Sequence, residues 1–132
     1  MPTNWGVIPS IRVQDMKTAL DFYQSTLGFK LTRGDGTEDN NSLDRGDAHI
    51  MIERATAFYS PDYNAAIKQR IGGRSAMALY IEAPDLEALH EKLRASGANV
   101  IDPLADRPWG QSEFTVEDPE GNWLTFWKAP AG

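Results

Sequence analysis

The sequence predicts an α+β fold made of two copies of one βαβββ unit, because three pairs of landmark residues recur along it in the same order. Each unit has an aspartate that can cap a helix, a glycine that can end the helix and a glycine in a later turn. The pairs are Asp15 and Asp85, Gly28 and Gly97, and Gly46 and Gly121. Their separations of 70, 69 and 75 residues are nearly constant in a chain of 132 residues, which predicts two structural repeats.

The first repeat, about residues 1–60, opens with a strand over Val7–Val13, in which Pro9 favours an edge or bulged position. A helix capped by Asp15 follows over Met16–Leu27, where apolar side chains recur at helical spacing. The other elements are a strand over Phe29–Leu31, a loop over Gly34–Asn41, and a hairpin of Ser42–Leu43 and His49–Glu53 that turns at Arg45–Asp47.

The second repeat, about residues 74–132, has the same order of elements. They are a strand over Met77–Ile81, a helix capped by Asp85 that runs from Leu86 to Gly97, and strands over Val100–Ile101, Phe114–Val116 and Asn122–Trp127. The last two strands flank Asp118–Gly121, which has the side-chain preferences of a type I turn. A connecting segment, residues 54–73, joins the repeats and is predicted to contain a short helix over Ala65–Arg70.

Composition limits the function classes. With 41% apolar and 24% charged residues, the chain is typical of one globular domain, which we expect to span residues 1–132. A net charge of −6 argues against binding to nucleic acid or to an anionic membrane. The absence of cysteine excludes a disulfide framework and a thiolate nucleophile. No signal peptide or membrane-spanning stretch is recognisable, so we expect a cytoplasmic protein.

Two stretches of the sequence resemble a known family. Residues 8–29 resemble the opening of vicinal oxygen chelate domains, and residues 107–122, which end in Asp-Pro-Glu-Gly-Asn, are similar to the close of bleomycin-resistance-type members. The chain therefore resembles the glyoxalase/bleomycin-resistance/dioxygenase superfamily, and within it the bleomycin-resistance type. This resemblance implies that each repeat is a curled mixed sheet with its helix outside. It also implies a cup-shaped functional site, often completed by a second subunit.

Within that fold, the alternation of side chains along each strand separates the cup from the helices. The side chains predicted to line the cup are Ile8, Ser10, Arg12, His49, Met51, Glu53, Ala76, Ala78, Tyr80, Trp123, Thr125 and Trp127. Those predicted to pack against the helices are Pro9, Ile11, Val13, Ile50, Ile52, Met77, Leu79, Ile81, Leu124 and Phe126.

The resemblance also provides a test for a catalytic metal. Metalloenzymes of the superfamily hold a divalent ion with one ligand from each of four strands. The matching positions are Ile8, Glu53, Ala76 and Thr125, with Met51 as the alternative register for Glu53. Isoleucine and alanine have no donor atom, and a threonine hydroxyl is a poor neutral ligand. We therefore predict no catalytic metal and no other cofactor. Metal-free proton transfer by His49 and Glu53 stays open. The alternative is that Glu53 is a solvated carboxylate at the strand end, paired with a nearby arginine. His90 is predicted as a helix-surface or boundary residue.

Aromatic side chains dominate the remaining cup and loop positions. Seven of them are Phe58, Tyr59, Tyr63, Tyr80, Trp109, Trp123 and Trp127. Flat rings around a groove suit a planar or aromatic ligand, and Glu53 and Glu113 would add attraction for a cation. Trp109 lies between Pro108 and Gly110, which favours a preformed contact surface in a loop.

These observations predict a metal-free protein that binds a planar or hydrophobic small molecule, such as an antibiotic or a related metabolite. The predicted contact residues are Arg12, His49, Met51, Glu53, Phe58, Tyr59, Tyr63, Tyr80, Trp109, Trp123, Thr125 and Trp127. A homodimer is expected because a single chain would expose its sheet aromatics as a large apolar patch. The alternative is a glyoxalase- or dioxygenase-type metalloenzyme, a lyase or oxidoreductase, with a diverged ligand set. A third hypothesis is an accessory protein that uses the dimer surface and binds no ligand.

Overall fold

The two predicted repeats are present as two open four-stranded sheets. The computed structural model describes residues 6–37, 39–54, 60–71, 73 and 76–130. The chain divides into two compact units, Met1–Gly73 and Arg74–Gly132, and each contains one sheet. The predicted α+β class with two βαβββ repeats is therefore confirmed, whereas one domain over the whole chain stays a prediction. No helix of the described residues is long and apolar enough to cross a bilayer.

Both sheets have the same strand order. The first unit contains β1 (Ser10–Val13), α1 (Met16–Asp21), β2 (Lys30–Arg33), β3 (Asn40–Arg45), β4 (Ala48–Arg54) and α2 (Pro61–Arg70). The second unit contains β5 (Ala78–Glu82), α3 (Leu86–Ala95), β6 (Asn99–Asp106), β7 (Ser112–Glu117) and β8 (Trp123–Lys128). The strand orders are β1-β4-β3-β2 and β5-β8-β7-β6. In each sheet the first strand pairs parallel with the last and the other pairs are antiparallel, so both sheets are mixed.

The first helix differs from the prediction because its final turn is widened. The predicted helix over Met16–Leu27 is α-helical in its first half, which is α1, and continues as a π-helical turn over Phe22–Thr26. The Leu27 N–H donates to the carbonyl of Phe22, five residues earlier, at 2.9 Å. Tyr23 and Leu27 are fully buried there. The apolar stripe is compatible with both kinds of turn, so the pattern predicted one continuous α-helix.

Asp15 caps α1 as predicted, and this contact contributes to stability in a pH-dependent way. Its carboxylate accepts a hydrogen bond from the Thr18 N–H at 3.0 Å, and the bonds from Thr18 hold the pKa of Asp15 below its usual value of 3.8. Because the folded-state pKa is the lower one, the stabilisation is complete above the unfolded-state pKa and is lost as pH falls through the folded-state pKa. We expect Asp15→Ala to lower the melting temperature by a few degrees near neutral pH and by less at about pH 2.

Circular dichroism melts at the two pH values check this expectation. Asp15→Asn is the matched control, since asparagine also accepts a hydrogen bond at this position and should keep most of the neutral-pH stability. A loss in Asp15→Ala that is as large in acid as at neutral pH would show that the charged cap is not its cause.

Most helix-facing residues predicted from alternation are buried. Ile11, Val13, Ile50, Ile52, Ile81, Leu124 and Phe126 are each at most 7% exposed. The prediction for Met77 is wrong: it is 70% exposed because β5 begins only at Ala78. Pro9 and Leu79 are half-buried. The Pro9 carbonyl accepts from the Met51 N–H at 2.9 Å, but proline has no N–H to continue the ladder, so β1 is shorter than predicted.

His90 was predicted as a helix-surface or boundary residue, and the structure places it at the edge of the core with 9% of the residue exposed. It projects from α3, and its Nε2 accepts a hydrogen bond from the Leu104 N–H of β6 at 3.3 Å. Its ring centre lies 5.0 Å from that of Phe114. The sequence pattern underestimated the length of β6, so it gave no sign that Leu104 would lie on a strand beside His90.

The connecting segment contains a longer helix than predicted. α2 begins at Pro61 rather than Ala65 and ends at Arg70 as predicted. Ser60 accepts a hydrogen bond from the Tyr63 N–H at 3.3 Å, and Pro61 occupies the first turn, where a proline fits. No residue of α2 is buried, so the helix lacks the apolar stripe from which its full length would have been recognised.

Strands β3 and β6 are also longer than predicted. β3 begins at Asn40, inside the predicted loop over Gly34–Asn41. β6 extends well beyond Val100–Ile101 and contains Pro103. Proline is tolerated there because β6 is an edge strand and its register with β7 shifts nearby.

Two predicted turns are present and set the register of the strands that carry the site. Gly46, with φ of 57°, lies in the turn that connects β3 to β4. Between β7 and β8, the Gly121 N–H donates to the Asp118 carbonyl at 3.1 Å. The Asp118 carboxylate accepts from the Asn122 N–H at 2.8 Å. The second turn is thus closed at both ends by one aspartate.

Candidate functional site

Polar side chains form a network on the face of the first sheet that points away from the buried core. β1 pairs parallel with β4, which sets Arg12 beside Glu53. β3 pairs antiparallel with β4, which sets Asn40 opposite Glu53. Because paired residues share a sheet face, their side chains meet. We define the polar face as Ser10, Arg12, Arg33, Asn40, Ser42, Met51 and Glu53.

Glu53 is the centre of the polar face and is only 4% exposed. One carboxylate oxygen lies 3.2 Å from Arg12 Nη2 and accepts a hydrogen bond from the Ser10 hydroxyl. The other oxygen accepts from the side-chain amide of Asn40. A buried charge is tolerable when it is both paired and hydrogen-bonded, and Glu53 meets both conditions. A metal ion would have to compete with these internal partners for the carboxylate oxygens.

Arg12 also links the polar face to α2. Its Nη2 donates to the Tyr63 hydroxyl at 2.8 Å, and its guanidinium carbon lies 5.4 Å from the centre of the Tyr63 ring. That distance is within the range of a cation–π contact. The structure therefore brings together four predicted contact residues: Arg12, Met51, Glu53 and Tyr63. Phe58 and Tyr59, also predicted as contact residues, lie outside the described part of the chain.

His49 lies apart from Glu53 on β4. Four strand positions separate the two residues, which corresponds to about 13 Å along a strand. His49 instead contacts Asp44 through its Nδ1, across the β3–β4 pair. The geometry therefore does not support direct proton transfer between His49 and Glu53.

Aromatic side chains lie on the face of the second sheet opposite its buried core. The cross-strand pairs of β7 and β8 on this face are Glu113–Trp127, Thr115–Thr125 and Glu117–Trp123. β5 adds Tyr80 beside Thr125, and the loop before β7 adds Trp109. We define the aromatic face as Tyr80, Trp109, Glu113, Thr115, Glu117, Trp123, Thr125 and Trp127.

Two tryptophans of the aromatic face donate their indole N–H groups to glutamates on β7. Trp109 Nε1 lies 2.8 Å from Glu113 Oε1, and Trp123 Nε1 lies 3.2 Å from Glu117 Oε1. The rings themselves stay exposed, with 65% of Trp109, 41% of Trp123 and 60% of Tyr80 accessible to solvent. Rings oriented by hydrogen bonds offer flat apolar surface at a small entropic cost of binding.

A closed loop holds Trp109 between β6 and β7. The Arg107 N–H donates to the Gln111 carbonyl at 2.9 Å, and the Gly110 N–H donates to the Arg107 carbonyl at 3.0 Å. Gly110 has φ of 97°, in the region that favours glycine. The Arg107 side chain also pairs with Asp102 of β6. Backbone hydrogen bonds therefore hold the chain on both sides of Trp109, so the loop presents the ring in a preformed position.

The residues at the superfamily's metal-ligand positions do not fit a divalent ion. Ile8 and Ala76 have no donor atoms, and Glu53 is engaged within the polar face. Thr125 is 3% exposed, and its hydroxyl is hydrogen-bonded to that of Thr115 at 2.8 Å. Within the described ranges, no three His, Asp or Glu side chains are close enough to hold one ion.

Several residues of the two faces were absent from the predicted contact residues. Glu113 was predicted only as a source of negative charge, and Glu117 and Asn40 were not predicted. A signal for Glu113 was nevertheless present, because the turn at Asp118–Gly121 sets the register of β7 on β8. Counting back from that turn places Glu113 opposite Trp127. Asn40 had no such signal, since it lies in the predicted loop.

Comparisons with known proteins agree with this fold. A model of the family described as Glyoxalase/Bleomycin resistance protein/Dioxygenase superfamily matches residues 7–126. A lactoylglutathione lyase from Haemophilus influenzae is 29% identical over 119 residues, which cover 88% of this chain and 86% of that protein.

Solved structures show the same architecture at low sequence identity. TioX from Micromonospora sp. ML1 has a TM-score of 0.74 and 22% identity, with 96% of this chain and 97% of that chain covered. A protein of unknown function from Agrobacterium tumefaciens str. C58 has a TM-score of 0.73 and 24% identity, with coverage of 94% and 93%. A glyoxalase/bleomycin resistance protein/dioxygenase from Alicyclobacillus acidocaldarius has a TM-score of 0.64 and 19% identity, with coverage of 98% and 96%. These likenesses establish the fold alone.

Proposed function

This chain belongs to the Glyoxalase/Bleomycin resistance protein/Dioxygenase superfamily, and from that premise we propose that it binds a planar or hydrophobic small molecule without a catalytic metal. The observation that carries the proposal is the aromatic face. Three large rings, those of Tyr80, Trp109 and Trp123, are exposed on one sheet face or its adjoining loop, while two indole N–H groups are already satisfied. Soluble proteins rarely leave such a surface uncovered unless it contacts a ligand or a partner.

The donor chemistry supports binding over metal-dependent catalysis. A Lewis-acid mechanism needs several oxygen or nitrogen ligands that converge on one ion. Here Ile8 and Ala76 supply none, and the Glu53 carboxylate is neutralised by Arg12 at 3.2 Å. Because the donor atoms for a catalytic metal are missing, we favour sequestration of an antibiotic or a related metabolite on the aromatic face over its chemical transformation. A cytoplasmic location belongs to the same proposal.

We expect protein purified without chelator to contain well under one equivalent of zinc, nickel, iron or manganese per chain, measured by elemental mass spectrometry. The reason is that the superfamily's ligand positions offer at most one strong donor, Glu53, and it is already bonded. Addition of nickel or zinc should not produce lactoylglutathione lyase activity. About one equivalent of metal, together with an activity that is lost on chelation, would instead establish the enzyme.

That enzyme is the second candidate function, and one observation favours it. The lactoylglutathione lyase from Haemophilus influenzae is 29% identical over most of both chains. Under this alternative the protein is a glyoxalase-type lyase or a dioxygenase-type oxidoreductase whose ligands depart from the superfamily pattern. The metal analysis distinguishes the two functions directly.

A homodimer is the assembly that fits the proposal. Burying part of the aromatic face against a second copy would remove apolar surface from water and leave the rest for the ligand. Light scattering at micromolar concentration should therefore give about twice the chain mass of 14.7 kDa. A mass that stays at that of one chain would remove the dimer from the proposal.

A further inference from the structure

Two buried glutamates on the sheet faces differ in their partners. Glu53, 4% exposed, has the guanidinium of Arg12 beside it. Glu113, 5% exposed, has the neutral indole N–H of Trp109. Arg107 pairs with Asp102 and Lys128 pairs with Glu87, and among the described residues no ion pair includes Glu113. Glu113 is therefore a buried carboxylate without a cationic partner among the described residues.

Such an arrangement has an energetic consequence. Removing an ionised carboxylate from water costs several kcal/mol unless an opposite charge compensates it. One hydrogen bond from a neutral donor such as Trp109 offsets only part of this cost. A cationic group of a ligand would find in Glu113 an acceptor that has already lost most of its hydration.

The surroundings of Glu113 define the shape of that ligand. Glu113 faces Trp127 across the β7–β8 pair and is hydrogen-bonded to Trp109, so indole rings lie on two sides of the carboxylate. A flat cation would contact the carboxylate with its charged nitrogen and the rings with its faces. We propose that the ligand of the aromatic face is a planar cation whose charged nitrogen pairs with Glu113. This inference rests on the proposed function, since it specifies the ligand of the same face.

Glu117 provides an internal comparison on the same strand. It also accepts an indole N–H, from Trp123 at 3.2 Å, and it accepts a second hydrogen bond from the Asn99 amide at 2.8 Å. It is half-buried rather than buried. The Glu117 carboxylate is partly hydrated and accepts two hydrogen bonds, so a cationic group would stabilise it less than it would stabilise Glu113.

Two ring systems of nearly equal area test the inference. The probe 9-aminoacridine is a cation near neutral pH, and acridine is neutral there. We expect wild-type protein to bind 9-aminoacridine at least about tenfold more tightly than acridine at physiological ionic strength, where the net negative charge of the chain is screened. Isothermal titration calorimetry measures both dissociation constants.

Two charge-removing variants locate the origin of the preference. Glu113→Gln still offers a carbonyl oxygen to Trp109 and should bind 9-aminoacridine and acridine with about equal affinity. Glu91→Gln removes the same charge from an exposed position of α3, outside the aromatic face, and should keep the wild-type preference. If the preference came from the net charge of the chain, the two variants would reduce it by the same amount.

The outcomes separate the inference from the proposed function. Acridine and 9-aminoacridine bound with equal affinity by the wild type would overturn the planar-cation inference and leave a binding protein in place. A preference that persists in Glu113→Gln would overturn it as well. Binding of neither probe by the wild type would overturn both. The wild-type comparison needs no variant, so equal affinities for the two probes would overturn the inference even if Glu113→Gln does not fold.

Discussion

Arg12→Met is expected to lower the free energy of unfolding by about 3–5 kcal/mol, because it leaves the Glu53 carboxylate buried without its counter-ion. The side chains of Arg12 and Glu53 are only 14% and 6% exposed, so little solvent reaches the carboxylate. The same substitution removes the hydrogen bond and the ring contact to Tyr63, which tie α2 to the sheet. Urea denaturation followed by circular dichroism measures the loss.

Two controls isolate the ion pair from the packing of the site. Arg54→Met breaks a pair with Asp39 in which both side chains are nearly half exposed, and it should cost at most about 1 kcal/mol. The double variant Arg12→Met/Glu53→Met should recover much of the stability, since it removes both charges from the buried site. An Arg12→Met protein within about 1 kcal/mol of the wild type would mean that Glu53 is protonated or hydrated in the folded state.

Trp109→Ala is expected to weaken the binding of 9-aminoacridine by about 1–3 kcal/mol, or roughly 5- to 150-fold in dissociation constant. The ring is 65% exposed, so its removal takes little from the packing of the free protein. The melting temperature should therefore stay within a few degrees of the wild type. Titration calorimetry and a thermal melt on the same preparation measure the two effects.

Trp109→Phe is the matched control for the ring itself. Phenylalanine keeps a flat apolar surface on the same closed loop but has no N–H for Glu113. It should recover most of the ring contact, and any remaining deficit reports the hydrogen bond to Glu113. An unfolded Trp109→Ala protein, or one with wild-type affinity for the probe, would show that this tryptophan serves the fold rather than the ligand.

The repeat was predictable because its signals are local. Asp15 marks the start of a helix through its own side chain, and the turn at Asp118–Gly121 is closed by bonds within five residues. Turns and caps of this kind do not depend on the rest of the molecule. Three such landmarks in constant order were enough to predict the order of elements in each repeat, which the structure confirms. The second helix does begin after Asp85, although the Asp85 side chain makes no cap hydrogen bond there.

Features that depend on distant partners were harder to predict. His90 is buried because a backbone N–H of β6 meets its Nε2, and β6 was predicted as only two residues. α2 was underestimated because none of its residues is buried, although Ser60 and Pro61 marked its start. Met77 follows the alternation of β5 but precedes the strand, and one step beyond a strand end is enough to expose a side chain.

The candidate site shows the same division. Alternation placed Arg12 and Glu53 on one face, and the structure agrees, since strand period is a property of the local backbone. Pairing of Glu53 with an arginine was one of the two alternatives. That the arginine is Arg12 depends on the register between β1 and β4, which the sequence does not encode in any turn. That Glu113 has no cationic partner among the described residues also depends on how the strands of its sheet are assembled. The positive charge proposed for the ligand follows from this difference between Glu113 and Glu53.

The strand orders also have a consequence for the order of events at the ribosome. β8 lies inside its sheet, between β5 and β7, yet it is the last of the eight strands to be synthesised. β5 ends at Glu82 and its partner β8 ends at Lys128. At typical rates of synthesis, roughly 2 to 9 s pass between the completion of β5 and the completion of β8. During that interval the apolar residues of β5 have no neighbouring strand in their sheet. The first unit has the same feature, since β4 lies between β1 and β3 and is the last strand of its sheet to be made. Slowing translation before β4 or before β8 should therefore raise aggregation in each case.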